Sequence, residues 1–127
     1  MFSTFYDDKT EEYKFINEFK KQKLVERLQI SKQIIKKYPY RVPIIVDSKT
    51  DIILDKNKYV VPEDLTIGQF MCILKKRIKI NYYKSIFLIC NGTVISNTDV
   101  IKNLYHNKKD DDGFLYIKIL LENTFGN

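Results

Sequence analysis

Residues 58–78 read KYVVPEDLTIGQFMCILKKRI and contain the clearest secondary-structure signal in the chain. The stretch starts with β-branched residues that are typical of a strand, and Pro62 ends that strand. Thr66 and Gln69 have the spacing of a capping box, so we predict that a helix begins there. Apolar residues then recur at the intervals of one buried helix face: Ile67, Phe70, Met71, Leu74 and Ile78.

A long helical segment precedes this stretch, over residues 11–37. It contains neither Pro nor Gly, and its apolar side chains recur at three- and four-residue steps among lysines. We expect two helical pieces joined between Gln29 and Ser31. The segment ends at Tyr38-Pro39, because proline disfavours helical geometry in the residue before it.

The other segments are mostly extended. Residues 42–46 are predicted to form a buried strand, and Pro43 indicates that this strand begins with one side unpaired. The rest follows in this order: a strand or hairpin partner over 52–54 and 58–61, the helix from Thr66, a strand over 85–90 closed by the turn Asn91-Gly92, a short helix or turn over 97–105, and a last strand over 114–121.

This order of elements predicts an α+β fold, in which one central helix packs on a mixed four-stranded sheet. Helix, helix, strand, strand, helix, strand, short helix and strand is the order of a β-grasp fold. The length of 127 residues fits a single domain with its own core.

The composition, 44% hydrophobic and 30% charged, is that of an ordinary soluble protein. No apolar run approaches the roughly 18 residues of a membrane helix, and the acidic N-terminal stretch does not resemble a signal peptide, so we expect a cytosolic protein. Cys72 and Cys90 lie within apolar runs, which predicts two buried free thiols. The net charge of +6 is concentrated in residues 14–41, where we expect a positive field.

Residue patterns of the common catalytic and metal sites are missing from the sequence. The one histidine, His106, lies in a polar segment far in sequence from either cysteine. Asp110, Asp111 and Asp112 are consecutive, so we interpret them as a solvated loop rather than a cation site. We therefore expect neither an enzyme nor a bound cofactor or metal.

The chain ends in Gly126-Asn127. A glycine one residue from the end becomes a reactive C-terminus once a protease removes its neighbour. Glycine also lets a tail run extended into a narrow enzyme channel without a side-chain clash. A frayed tail has the same composition, so the ending indicates a conjugated tag only with support from the rest of the chain.

That support comes from residues 37–46, KYPYRVPIIV, and residues 54–70, LDKNKYVVPEDLTIGQF. Both closely resemble the autophagy ubiquitin-like modifiers of the GABARAP and light-chain-3 family. Further similarity at 75–78, around Phe87, at 112–117 and at 125–127 extends the resemblance over roughly residues 24–127.

The resemblance implies a ubiquitin-like β-grasp fold with two additional N-terminal helices and a role as a modifier in autophagy. It implies that a processing cysteine protease removes Asn127, which follows Phe125 and Gly126. Activating and conjugating enzymes of the pathway would then join Gly126 to phosphatidylethanolamine. Two acyl chains would anchor the protein to autophagosomal or related vesicle membranes. Nucleic acid is not expected as a partner.

The resemblance further implies a groove in which a short aromatic-x-x-aliphatic segment of a receptor or adaptor pairs with the edge of the second strand. The aromatic-pocket set is Ile34, Pro43, Lys56, Lys58, Val60 and Phe114. The aliphatic-pocket set is Tyr59, Val61, Pro62, Leu65, Phe70 and Ile73. The rim cations, which would meet acidic residues of the partner, are Arg41, Lys56, Lys58 and Arg77. Without the resemblance, most apolar members of these sets would be interpreted as ordinary core.

The chain also departs from the family pattern. Ile30 stands where the family commonly has an acidic residue at the rim of the aromatic pocket, so this rim is expected to be more apolar. The loop over 48–54 is shorter than in GABARAP. Residues 1–14 are an extension, either a flexible tail or a mobile arm that covers a pocket. We expect the domain over 15–121 and a flexible conjugation tail over 122–127.

Two alternatives remain open from the sequence alone. A modifier joined to protein lysines would share the fold and the glycine. An unconjugated interaction module would bind tubulin, acidic lipid or RNA through its basic N-terminal helices, and that binding would depend steeply on salt.

Overall fold

The computed structural model describes residues 13–49, 52–79 and 85–121. Its elements are α1 (Lys14–Phe19), α2 (Leu24–Lys37), β1 (Arg41–Ser48), β2 (Ile53–Leu54), β3 (Lys58–Pro62), α3 (Ile67–Lys75), β4 (Ile78–Lys79), β5 (Ile86–Cys90), β6 (Thr93–Val94), α4 (Ile101–Lys108) and β7 (Leu115–Leu121). The predicted order of the longer elements is confirmed.

The main sheet has five strands in the order β3-β1-β7-β5-β6. β1 runs parallel to β7, and the other neighbouring strands are antiparallel. The sequence predicts one strand fewer, because it does not reveal β6. The chain turns back at Asn91 and Gly92, where φ is 52° and 78°, and positive φ at both central residues is the geometry of a tight hairpin.

The second extended segment is divided between two sheets. β3 pairs with β1, whereas β2 pairs with β4 in a separate two-stranded ladder. The prediction that Ile78 continues the buried face of α3 is wrong, because α3 ends at Lys75 and Ile78 pairs with Leu54 in that ladder. The predicted capping box is confirmed: Thr66 Oγ1 accepts the Gln69 N–H at 3.1 Å, and Gln69 Oε1 accepts the Thr66 N–H at 2.9 Å.

β1 contributes to two apolar clusters, because side chains alternate between the two faces of a strand. One face packs with α3 and α4 in the main core, which includes Ile44, Phe70 and Leu74. The other face contributes Ile45 to a smaller group, here called the α1 cluster: Tyr13, Ile16, Phe19, Ile45, Phe114 and Tyr116. Pro43 is accommodated as predicted, since at this residue β1 pairs only with β3, and pairing with β7 begins at Ile44.

The N-terminal helical segment breaks over residues 20–23, so the predicted joint between Gln29 and Ser31 is wrong. Lys23 has an extended ψ of 147°, and its N–H donates to Glu26 Oε1 at 3.3 Å, which begins a new helix. This side-chain cap requires neither proline nor glycine, so the usual breaker residues do not mark the joint.

Two predictions about burial also change. Tyr13 is fully buried and Lys14 begins α1, so the predicted boundary after residue 14 falls too late. Cys90 is buried as predicted, and burial raises its pKa to about 11. Cys72 is exposed, because it projects from the side of α3 opposite the buried residues. Within the described ranges, no helix has the length and apolar character needed to cross a membrane.

Candidate functional site

β3 is the edge strand of the main sheet, and it separates two differently covered faces. Lys58 and Val60 lie on the face where α1 and α2 pack against β1. Tyr59 and Val61 lie on the opposite face, within the main core beside α3. The two predicted pocket sets therefore fall on opposite sides of one edge strand.

Most of the aromatic-pocket set comes together on the α2 side of β3. Pro43 lies directly opposite Val60 in the ladder, and Ile34 packs against the cluster that contains Phe114. Pro43 and Phe114 are buried, whereas Val60 and Ile34 are half-buried. Ile30 precedes Ile34 by one turn of α2 and is exposed, so it extends the apolar surface outward at the predicted rim.

The aliphatic-pocket set has a buried floor and an accessible border. The rings of Tyr59 and Phe70 meet edge to face, with 5.6 Å between their centroids, and Val61 is buried beside them in the same core. The border consists of Pro62, Leu65 and Ile73. Pro62 and Ile73 are exposed, and Leu65 is half-buried. Apolar surface is thus available on the α3 side of the edge.

The four rim cations are all exposed: Arg41, Lys56, Lys58 and Arg77. Arg41 Nη1 donates to the carbonyl of Val60 at 3.4 Å. Lys56 Nζ lies 5.0 Å from the ring centroid of Tyr59, so the ammonium group contacts the aliphatic-pocket set rather than the aromatic-pocket set. Positive charge along an exposed edge disfavours pairing between two copies and attracts acidic segments.

The predicted solvated loop over 110–112 is wrong for Asp112, whose side chain is fully buried. Arg27 Nη1 donates to Asp112 Oδ2 at 2.6 Å, and the Tyr116 hydroxyl donates to the same oxygen. Asp112 Oδ1 accepts the N–H of Phe114 at 2.9 Å. The ion pair thus fastens α2 to the start of β7 and sets the position of Phe114 relative to α2.

The Asp112 carboxylate also changes the titration of its neighbours. Burial and the hydrogen bond to Asp112 raise the pKa of Tyr116 far above its ordinary value. Burial alone would lower the pKa of Arg27, but hydrogen bonds to Asp112 and Tyr116 outweigh it and raise the pKa. Sequence patterns do not reveal this cluster, because 85 residues separate Arg27 from Asp112.

Close approach of the Ser31 side chain to the backbone of residues 112 and 113 completes the junction between α2 and β7. Ser31 Oγ donates to the backbone carbonyl of Asp112 at 2.6 Å. Gly113 has a φ of +85°, and a Cβ atom at this residue would collide with Ser31 Oγ. Tyr105 donates its hydroxyl to the carbonyl of Gly113 at 2.7 Å. Glycine is therefore needed here for its conformation and for the absence of a side chain.

The tail residues predicted to be processed and conjugated are Phe125, Gly126 and Asn127. They lie outside the residues that the structure describes, as does the whole predicted tail over 122–127. Among the described residues, the candidate site is therefore the β3 edge.

Comparisons with protein families agree with the resemblance. Residues 26–126 match the family described as "Autophagy protein Atg8 ubiquitin like". Autophagy-related protein 8e of Arabidopsis thaliana is 41% identical over 117 residues, which cover 90% of this chain and 92% of the relative. Autophagy-related protein 8c of the same plant is 44% identical over 112 residues, which cover 85% and 94%.

Solved structures have the same fold. Trypanosoma brucei ATG8 superposes with a TM-score of 0.73 at 33% identity, covering 83% of this chain and 93% of that one. Plasmodium falciparum Atg8, solved in complex with a Plasmodium falciparum Atg3 peptide, superposes with a TM-score of 0.70 at 24% identity, covering 80% and 92%. The predicted ubiquitin-like α+β β-grasp with two N-terminal helices is confirmed.

Proposed function

Because the chain belongs to the Atg8 family of autophagy-related ubiquitin-like proteins, we propose that it is a lipid-conjugated modifier that recruits partners through the β3 edge. A processing protease removes Asn127, and activating and conjugating enzymes join Gly126 to phosphatidylethanolamine. The modified protein resides on autophagosomal or related vesicle membranes. An Atg3-type protein is a proposed partner in conjugation. The chain itself carries out no catalysis in this scheme.

The observation that carries the recruitment part is the placement of the two pocket sets. A peptide that pairs with β3 continues the sheet, so its residues three positions apart point to opposite faces. Apart from Lys56, the aromatic-pocket set and the aliphatic-pocket set occupy those opposite faces. An aromatic-x-x-aliphatic segment therefore has the spacing that the edge accepts, and the exposed rim cations suit acidic residues beside it.

Mass spectrometry of the C-terminal peptide tests the conjugation part. Protein from cytosolic fractions is expected to end at Gly126, and protein from membrane fractions is expected to carry phosphatidylethanolamine there. Gly126→Ala should fold normally but fail to accumulate on membranes. An intact Asn127 in both fractions during vesicle turnover, or equal membrane association of Gly126→Ala, would contradict conjugation.

Calorimetric titration with an acidic aromatic-x-x-aliphatic peptide tests the groove. Lys58→Ala should weaken binding by about two- to fivefold, the range expected for an exposed ion pair. Ile73→Ala should weaken binding through lost apolar contact. Lys109→Ala removes another exposed lysine, outside the groove, and is the matched control. Equal affinities for Lys58→Ala, Ile73→Ala and the control would place peptide binding elsewhere.

A further inference from the structure

The face that carries the aromatic-pocket set is already covered by an aromatic residue of α1. Phe19 is 5% exposed and meets Phe114 edge to face, with 5.2 Å between ring centroids and 86° between ring planes. The ammonium group of Lys58 lies 5.6 Å from the centroid of Phe19. Phe114 is itself 4% exposed, so almost none of its ring is left for an incoming side chain.

We propose that Phe19 is an internal occupant of the aromatic pocket, and that an aromatic side chain of a partner must displace it. This inference rests on the proposed function, since it concerns the same groove. An edge-to-face contact with Phe114 and an ammonium group over the ring are interactions that any aromatic side chain would make there. Phe19 and the partner's ring are therefore alternatives for one place, and α1 competes with partners.

The way α1 is held on the sheet would allow a partner to displace it. Its six residues are too few to form a stable helix in water alone, so its position depends on contacts with the sheet. Asp47 Oδ2 accepts the Ile16 N–H at 2.9 Å, and Lys20 Nζ lies 3.3 Å from Asp110 Oδ1. The α1 cluster and the main core lie on opposite faces of β1, so release of α1 leaves the main core in place.

Phe19 would have the opposite effect on binding if it were a fixed wall of the pocket. A wall adds contact area to the bound aromatic ring, so its removal weakens binding. An occupant lowers apparent affinity, because only molecules with α1 released are competent to bind. The sign of the affinity change therefore separates the two roles.

Titration of the full chain with a peptide that carries Tyr at its aromatic position shows whether the substitution raises or lowers the affinity. We expect Phe19→Ala to bind about tenfold more tightly than the unsubstituted protein. Glu18→Ala, at the adjacent and highly exposed position of α1, should bind with unchanged affinity and is the control. Unchanged or weaker binding by Phe19→Ala would overturn the inference.

A second measurement does not require truncating the side chain. The chain contains no tryptophan, so Phe19→Trp introduces a single fluorophore at the pocket. The emission of Trp at this position should be that of a buried indole in the free protein. It should shift to the red when the Tyr peptide saturates the protein. An emission that stays unchanged or shifts to the blue on binding would show that the ring is not displaced.

The two proposals fail in different ways. If neither the unsubstituted protein nor Phe19→Ala binds the peptide, the groove function itself is wrong, and the inference falls with it. If the unsubstituted protein binds and Phe19→Ala binds no more tightly, the groove stands and only displacement of Phe19 is wrong.

Discussion

Asp112→Asn is expected to be among the most destabilising conservative substitutions in this protein. The asparagine keeps the size of the side chain and an oxygen for the N–H of Phe114. It removes the negative charge that Arg27 and Tyr116 share. Arg27 would then keep its charge at the junction of α2 and β7 with only the more distant Asp110 to balance it, whose Oδ2 lies 3.9 Å from Arg27 Nη1.

The magnitude follows from burial. Removing one partner of a buried ion pair typically costs about 3–5 kcal/mol. The side chain of Asp112 is fully buried, whereas that of Arg27 is 11% exposed and keeps some access to water, so the lower limit applies. We expect a loss of about 3 kcal/mol, which is a large part of a typical stability of about 5–15 kcal/mol. At this chain length the melting temperature should fall by about 10 °C.

Urea unfolding followed by circular dichroism measures the loss by linear extrapolation. Asp111→Asn is the matched control, because Asp111 is exposed in the same loop and the substitution makes the same change in charge. The control should stay within about 0.5 kcal/mol of the unsubstituted protein. If the two variants lose equal stability, the ion pair with Arg27 does not hold α2 to β7.

Four further predictions concern Tyr59, the contact between Gly113 and Ser31, and the two cysteines. Tyr59→Phe should raise the free energy of unfolding by about 1 kcal/mol in urea titrations, since the buried Tyr59 hydroxyl has no hydrogen-bond partner among the described residues; a lower value would contradict this. Burial raises the pKa of Tyr59 to about 12. Between about pH 10 and pH 12 the unfolded chain has released this proton and the folded chain has not, so the free energy of unfolding should fall as pH rises. Tyr59→Phe should make that fall with pH less steep. Gly113→Ala should lower the free energy of unfolding by about 2 kcal/mol, because of the positive φ at this residue and the collision with Ser31. Adding Ser31→Ala should recover part of that free energy. If Gly113→Ala is as stable as the unsubstituted protein, or if Ser31→Ala recovers nothing, the contact is not significant. A thiol reagent should modify Cys72 rapidly in the folded protein and Cys90 only after unfolding, and equal rates would disprove the difference in burial.

The parts of the fold that sequence analysis predicts correctly depend on local signals. The capping box of Thr66 and Gln69 and the strand before Pro62 involve residues within a few positions of each other. The break over residues 20–23 has an equally local cause, in the cap of Lys23 by Glu26, but lysine at a helix start is not a recognised signal. Cys72 lies in an apolar run, and composition alone does not tell which side of α3 it occupies.

The candidate site likewise has features that local sequence signals predict and contacts that they do not. By itself, the sequence predicted the strand over 58–61, the helix that follows it and the family resemblance, because hydrogen bonding and periodicity act over short distances along the chain. That β3 is the edge of the sheet is shown by the tertiary structure. Tertiary structure placed Asp112 beside Arg27 and Phe19 against Phe114. Those contacts join residues far apart in sequence, and their burial depends on how α1 and α2 pack on the sheet, which no local pattern specifies.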